Sequence, residues 1–390
     1  MNTLAAPVTG TRPIYLDYNA TTPVLPEVLD AMLPFLGERF GNPSSLHPYG
    51  REARSAVEQA RVEVALLLGC SPEEIIFTSG GTESNNLAIL GSIRATACGG
   101  DVLTSVIEHP AVSRPCELLE GRGSVVTRLG VDELGVVDVE EARKALDHLP
   151  LLLTVMHANN ETGTIQPIRE IADVARERGA LVHTDAAQSV GKVPVDVDDL
   201  GVDLLSVAGH KLYAPKGVGA LYVRRGVPLR PVLVGAGHER GLRPGTENVA
   251  SIAGLGAACA LARNTLQAES TRVMVLRDRL WNVLSEGVPG LKLNGHPLRR
   301  LPNTLNVVFP GVRSSRLLET AVGVAASGGS ACHEGGETPS PVLTAMGVAR
   351  VDALGAVRLS LGRGTTEVDV AVAAEALVAA WRVLKGTPAS

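Results

Sequence analysis

Aromatic side chains make up only 3% of this 390-residue chain, so its interior has to be packed mainly from Ala, Val and Leu. Cysteine is scarce as well: Cys70, Cys98, Cys116, Cys259 and Cys332 are odd in number, widely scattered and never in a CxxC pair. Neither a disulfide framework nor a structural zinc is supported, and no metal is expected. Cationic excess is also missing, since 36 Lys and Arg stand against 41 Asp and Glu, and no basic patch is interleaved with aromatics. A nucleic-acid partner is therefore not expected. The longest apolar runs, such as 250–262, fall short of the roughly 18 residues a membrane span needs, and their Gly and Ala content reads as a closely packed buried helix. Residues 1–13 hold one Arg and a very short apolar run, unlike a secretory signal, so the cytoplasm is the expected location. No internal repeat or low-complexity segment is evident.

What the chain does have is 42 Gly and 24 Pro, which punctuate many short elements. Apolar spacing predicts helices over 51–68, 82–93, 111–120, 139–149 and 168–178. Between them, strand-like runs fall at 75–77, 102–106, 125–126, 151–156, 181–184 and 204–207. Continuous apolar strands alternating with helices argue for an α/β fold with a mostly parallel sheet covered on both faces. A long helix over 261–284 then leads into a smaller α/β region. The length suits two domains, a large one over 14–257 and a small C-terminal one over 258–390 on which 1–13 packs.

Three segments carry chemistry. Ile75 to Asn86 runs from a strand through Ser-Gly-Gly-Thr into a helix, a turn that lets backbone N–H groups approach an anion. It lacks the Lys-Ser/Thr of a P-loop, and an ordinary strand–helix turn is its plain reading. Asp185 lies just past the 181–184 strand, at the sheet edge where open α/β folds bind ligands. It is either a helix cap or the partner of a buried cation such as a pyridinium N–H. Lys211 follows the 204–207 strand among Gly, His and apolar residues, where poor solvation lowers an amine's pKa and suits it to Schiff-base chemistry. A surface lysine in a loop is the alternative. In this order the three segments describe a site for pyridoxal phosphate.

The motifs DYNATTP (from Asp17), GNPSS, FTSGGTESNNLAI, EHPAV, ANNETG, HTDAAQ, GHK, RPGTEN and SGGSAC follow one another from Tyr15 to Arg363. In these motifs the chain resembles the cysteine desulfurases of the NifS/IscS type, class V aminotransferase-fold enzymes. The resemblance implies a pyridoxal-phosphate-dependent transferase of fold type I, a homodimer with its active site at the subunit interface. It implies that Lys211 carries the cofactor, that Asp185 pairs with its ring nitrogen and that His109 stacks on the ring. Asn160 and Gln188 would hydrogen-bond the ring oxygen. Gly81, Thr82 and His210 would hold the phosphate, with Thr246 arriving from the other subunit. Arg358, helped by Asn42, would bind the substrate carboxylate. In one place the chain departs from the family, which often has Ser two residues before the His of SGHK; here that residue is Ala208, and the phosphate loses a donor.

Cys332 lies in SGGSACHEGGETPSP, a Gly-, Ser- and Pro-rich stretch without apolar periodicity that reads as a mobile surface loop. The resemblance makes it the nucleophile that takes sulfur from L-cysteine, releases L-alanine and passes the sulfur to an acceptor such as an iron–sulfur scaffold. A thiol of ordinary pKa is mostly protonated near pH 7, so His333 or His109 is a candidate proton acceptor. Selenocysteine lyases, which take L-selenocysteine, carry similar motifs, although Pro110 after His109 is closer to the desulfurases. A class V transaminase would need no loop thiol. An idle homologue acting as a scaffold would not need Lys211, Asp185 and Cys332 together.

Overall fold

The computed structural model describes residues 12–96, 99–328, 330–333 and 336–386, with backbone only for 330–333 and 336–337. Strand β1 (Ile14–Tyr15) is followed by helices α1 (Pro26–Leu36) and α2 (Pro48–Leu68). Helix α2 begins earlier than the apolar spacing predicts. Pro48 fills the first turn, where a missing N–H is no loss, and His47 Nδ1 accepts from Gly50 N at 3.3 Å.

Strands and helices then alternate: β2 (Ile75–Thr78), α3 (Gly81–Ala95), β3 (Val102–Ser105), α4 (Pro110–Glu120), β4 (Val126–Leu129), α5 (Val139–Leu146), β5 (Leu152–Thr154), α6 (Ile168–Glu177), β6 (Leu181–Asp185), α7 (Val197–Leu200), β7 (Leu204–Ala208) and β8 (Gly219–Val223). Among the described residues these strands form one sheet in the order β2-β8-β7-β6-β5-β3-β4. Strand β8 runs antiparallel to β2 and β7, and the remaining neighbours are parallel. Strands β2, β3, β5 and β7 are buried throughout, which is why their sequences are continuous apolar runs rather than alternating ones. The expected mostly parallel sheet is present. Helix α5 stops at Leu146, short of the predicted 149, because Leu149 precedes Pro150 and adopts a φ of 54°.

Helix α8 (Val249–Gly287) is 39 residues long and joins the expected buried helix over 250–262 and the expected long helix over 261–284 into one. Position 257, the expected domain boundary, therefore lies inside a continuous helix. Its first half packs in the large core, with Gly256 so close to α2 that a Cβ would sit 2.6 Å from Ala60 Cα. From Val273 onward it packs in a second core with Val307, Phe309 and Leu377. By length and composition alone α8 is apolar enough to cross a membrane, but its apolar residues are divided between these two cores.

The C-terminal part contains β9 (Lys292–Asn294), β10 (Thr304–Val308), α9 (Ser314–Thr320), β11 (Val324–Ala325), β12 (Ser327–Gly328), β13 (Ser330–His333), β14 (Gly336–Pro339), α10 (Pro341–Ala345), α11 (Arg350–Ala353), β15 (Ala356–Ser360) and α12 (Glu367–Leu384). A sheet of order β12-β15-β10-β9 is the smaller α/β layer, and among the described residues β13 and β14 pair only with each other. Strand β1 pairs in parallel with β11, and Leu16 is fully buried in the second core. The start of the chain is thus stitched into its C-terminal part. Residues 1–11, and with them most of the expected N-terminal packing segment, lie outside the described residues.

Candidate active site

The loops that follow the carboxyl ends of the large sheet's strands converge on a cavity of about 320 Å³. Its lining includes Gly81, Thr82, His109, Asn160, Asp185, Gln188, His210, Lys211 and Arg358, all predicted from the sequence. Each position follows from the fold. Asp185 ends β6, Ala208 ends β7, and a single turn over Gly209–Lys211 carries His210 and Lys211 inward. Strand β2 feeds α3 through Gly80, whose φ of 144° is open to glycine but strained for other residues. No side chain caps α3, so its first-turn N–H groups are left for an anion.

Asp185 is buried, and its carboxylate accepts from Asn85 Nδ2 (2.7 Å) and from the backbone of Ala187 (3.0 Å). Lys211 Nζ donates to the carbonyls of Asn19 (2.6 Å) and Ala20 (2.8 Å). Burial, and next the guanidinium of Arg358, lower its pKa from 10.5 to about 8. His210 is pushed down to about 4 by burial and then by Lys211. His109 caps α4, its Nδ1 accepting from Ala111 N at 3.1 Å, and burial lowers its pKa. A neutral ring with Nδ1 as acceptor carries its hydrogen on Nε2.

Arg358 sits on β15 and donates to Asp17 Oδ1 (2.8 Å), Ser327 Oγ (3.1 Å) and the carbonyl of Asn160 (3.1 Å). Its Nε has no partner among the described residues. Ser327 immediately precedes the segment that holds Cys332, and Ser340 at the far end of that segment donates to Glu161 Oε2 at 2.6 Å. Both feet of the segment therefore stand beside the cavity, next to Arg358 and Asn160. Where the composition predicts an irregular loop, the backbone forms the β13–β14 hairpin, with Cys332 opposite Glu337. The side chains of Cys332 and His333 lie outside the described residues, as does Cys98.

Two predicted residues are not brought to this cavity. Asn42 is exposed before α2 and folds its Oδ1 back onto Ser44 N (2.9 Å), and Thr246 is exposed in the loop before α8. Conversely, the structure adds residues that the motif reading left without roles. Asn19, buried within DYNATTP, accepts from Lys211 and Gln188 through its carbonyl and donates through Nδ2 to Thr304 Oγ1 at 2.9 Å. Asn85 holds Asp185, yet its own Oδ1 has no partner among the described residues. Glu108, next to His109, has its pKa raised to about 8 by burial. Asn19 lies within DYNATTP and Asn85 within the predicted 82–93 helix, but each is flanked by other polar residues, so no local pattern singled them out. Cys70, Cys116 and Cys259 have thiol pKa values raised by burial and behave as packing residues.

The aminotransferase class-V family model matches residues 14–372. The cysteine desulfurase IscS of Dictyoglomus turgidum is 48% identical over 362 residues, 92% of this chain and 92% of that protein. Among solved structures, a NifS-like protein superposes with a TM-score of 0.89 at 38% identity, covering 96% of this chain and all of the other. SspA, solved in complex with cysteine, is 39% identical with a TM-score of 0.78, covering 89% of this chain and 98% of its own.

Proposed function

Because the chain belongs to the class-V aminotransferase family, we propose that it is a pyridoxal-phosphate-dependent cysteine desulfurase, converting L-cysteine to L-alanine and taking the sulfur onto Cys332. The observation that carries this reading is one cavity lined by a depressed-pKa lysine, a buried carboxylate and an uncapped helix N-terminus.

These residues fit the cofactor. The first turn of α3, with Thr82 and His210, would hold the phosphate. Asp185, steadied by Asn85, would meet the ring N–H, and Lys211 would take the aldehyde. When bound, pyridoxal phosphate supplies a conjugated ring that delocalises the negative charge left on the substrate's α-carbon. Lys211, uncharged above about pH 8, would take the substrate's α-proton and hold it for return. Asp185, held by Asn85 and the Ala187 N–H, would keep the ring nitrogen protonated. Arg358, its Nη2 held by Asp17 and its Nη1 by the Asn160 carbonyl, lines the cavity where the substrate carboxylate would bind.

Cys332 then attacks the substrate sulfur as a thiolate. A sulfur–sulfur bond forms, the carbon–sulfur bond breaks, and its electron pair stays with the β-carbon, which collects a proton and leaves as alanine. The persulfide sulfur passes to an acceptor protein, of which an iron–sulfur scaffold is one class. Asn42 and Thr246 act from a second copy in a homodimer, consistent with their exposure away from this copy's cavity. The relative bound to cysteine supports cysteine as the substrate.

The test is mass spectrometry of Cys332 after brief exposure to L-cysteine, with alanine counted in parallel. One added sulfur on Cys332, lost with reductant and matched by alanine, is expected. Alanine formed at full rate by protein alkylated at Cys332 would overturn the reading.

A further inference from the structure

Lys192 lies four residues past Gln188 in the turn that follows β6. It reaches back under the site and borders a small second cavity of about 40 Å³ that Lys211 also lines. Its Nζ donates to Gln188 Oε1 at 2.8 Å and to Asn19 Oδ1 at 3.2 Å. An amine has at least two N–H donors whether charged or neutral, and here it faces two amide oxygens, so the contact assigns both amides. With its oxygen turned to Lys192, Gln188 presents its NH2, which donates to the Asn19 carbonyl at 3.0 Å. With Oδ1 turned to Lys192 and Asn303, Asn19 presents its own NH2 to Thr304 and to the Asn160 carbonyl. The same Asn19 carbonyl accepts from Lys211.

We propose that Lys192 is a positioning residue that fixes the amides of Gln188 and Asn19, so that Gln188 offers the cavity a donor and not an acceptor. The inference rests on the desulfurase reading, in which Gln188 faces the ring oxygen of pyridoxal phosphate. A flipped amide would set its oxygen against that oxygen; the donor instead favours the oxygen's anionic form. Burial, together with Lys211 and Arg358, lowers the Lys192 pKa well below that of an ordinary lysine. Even as a neutral amine it keeps the two donors this arrangement uses.

The experiment is a pH titration of the visible absorbance of the cofactor-loaded protein. In Lys192→Met the midpoint is expected to rise by about half to one pH unit, the size set by one neutral hydrogen bond. Gln188→Leu should give the same rise, and the double variant no more than either single one. If Lys192→Met does not accumulate, Lys192→Ala carries the test, with its raised midpoint falling back when ethylamine is added. An unmoved midpoint in whichever variant folds, or additive shifts in the double variant, overturns the proposal. A parent protein without any visible band overturns the desulfurase reading itself, and this inference with it.

Discussion

The cofactor cup and the Cys332 hairpin are neighbours built in opposite ways. The cup sits on strand ends of a seven-stranded sheet, and its polar side chains are tied to one another: Asn85 to Asp185, Gln188 and Lys211 to Asn19, and Lys192 to both amides. The hairpin pairs with no other strand among the described residues and is fixed at its feet, by Ser327 beside Arg358 and by Ser340 on Glu161. The difference follows from the chemistry. Holding a ring and a phosphate requires groups that do not move, whereas receiving a sulfur atom and handing it on requires a thiol that can change neighbours.

That contrast predicts separable losses. Lys211→Ala, at the centre of the cup, should lower alanine release by about 10⁴-fold and abolish the visible band of lysine-bound cofactor. Cys332→Ser, on the hairpin, should lower turnover by about 10³-fold while leaving that band unchanged, read by absorbance and alanine release on the same sample. Loss of the band in Cys332→Ser would break the comparison. Asp185→Asn should cost about 10²-fold in turnover, the worth of one charge-assisted hydrogen bond. Because the Lys211 pKa is lowered to about 8, the free amine fraction rises about tenfold per pH unit below that value. Stopped-flow absorbance should therefore show cofactor uptake by the apoprotein accelerating about eightfold from about pH 6.5 to 7.5 and levelling above about pH 8. The smallest effect belongs to Ala208, which lines the cavity where the family often has Ser. Ala208→Ser should tighten cofactor binding by about threefold in equilibrium titration, one neutral donor's worth.

The large sheet was legible because most of its strands are buried and mainly apolar, with only small polar residues such as Thr104 and Ser206 among them, so they stand out as short apolar runs between helices. Asp185, Lys211 and the Ser-Gly-Gly-Thr turn were legible for the same reason, as polar residues placed just past such runs. Both halves of helix α8 were legible, 250–262 as a closely packed Ala- and Gly-rich buried helix and 261–284 as a long helix, but not that they form one continuous element, because the first half packs closely against α2 and is apolar on every side. The hairpin was hidden by Gly, Ser and Pro, whose pairing depends on partners and not on propensity. Asn19 escaped because its partners lie far away in the sequence, and Lys192 because its contact with Gln188, four residues back, has meaning only once Asn19 is folded beside both. Asn19 bonds to Lys211, 192 positions on, and its backbone N–H to Ser360, 341 positions on.

That last separation bears on how the enzyme is made. During synthesis Asn19 emerges early, but its neighbours Asn303, Thr304 and Ser360 leave the ribosome only near the end. The carbonyl that receives the reactive amine cannot be fixed until then, and β1 has no strand to join before β11 exists. The nascent large sheet therefore waits with an unfinished catalytic centre until the chain is nearly complete, and competence arrives late and all at once.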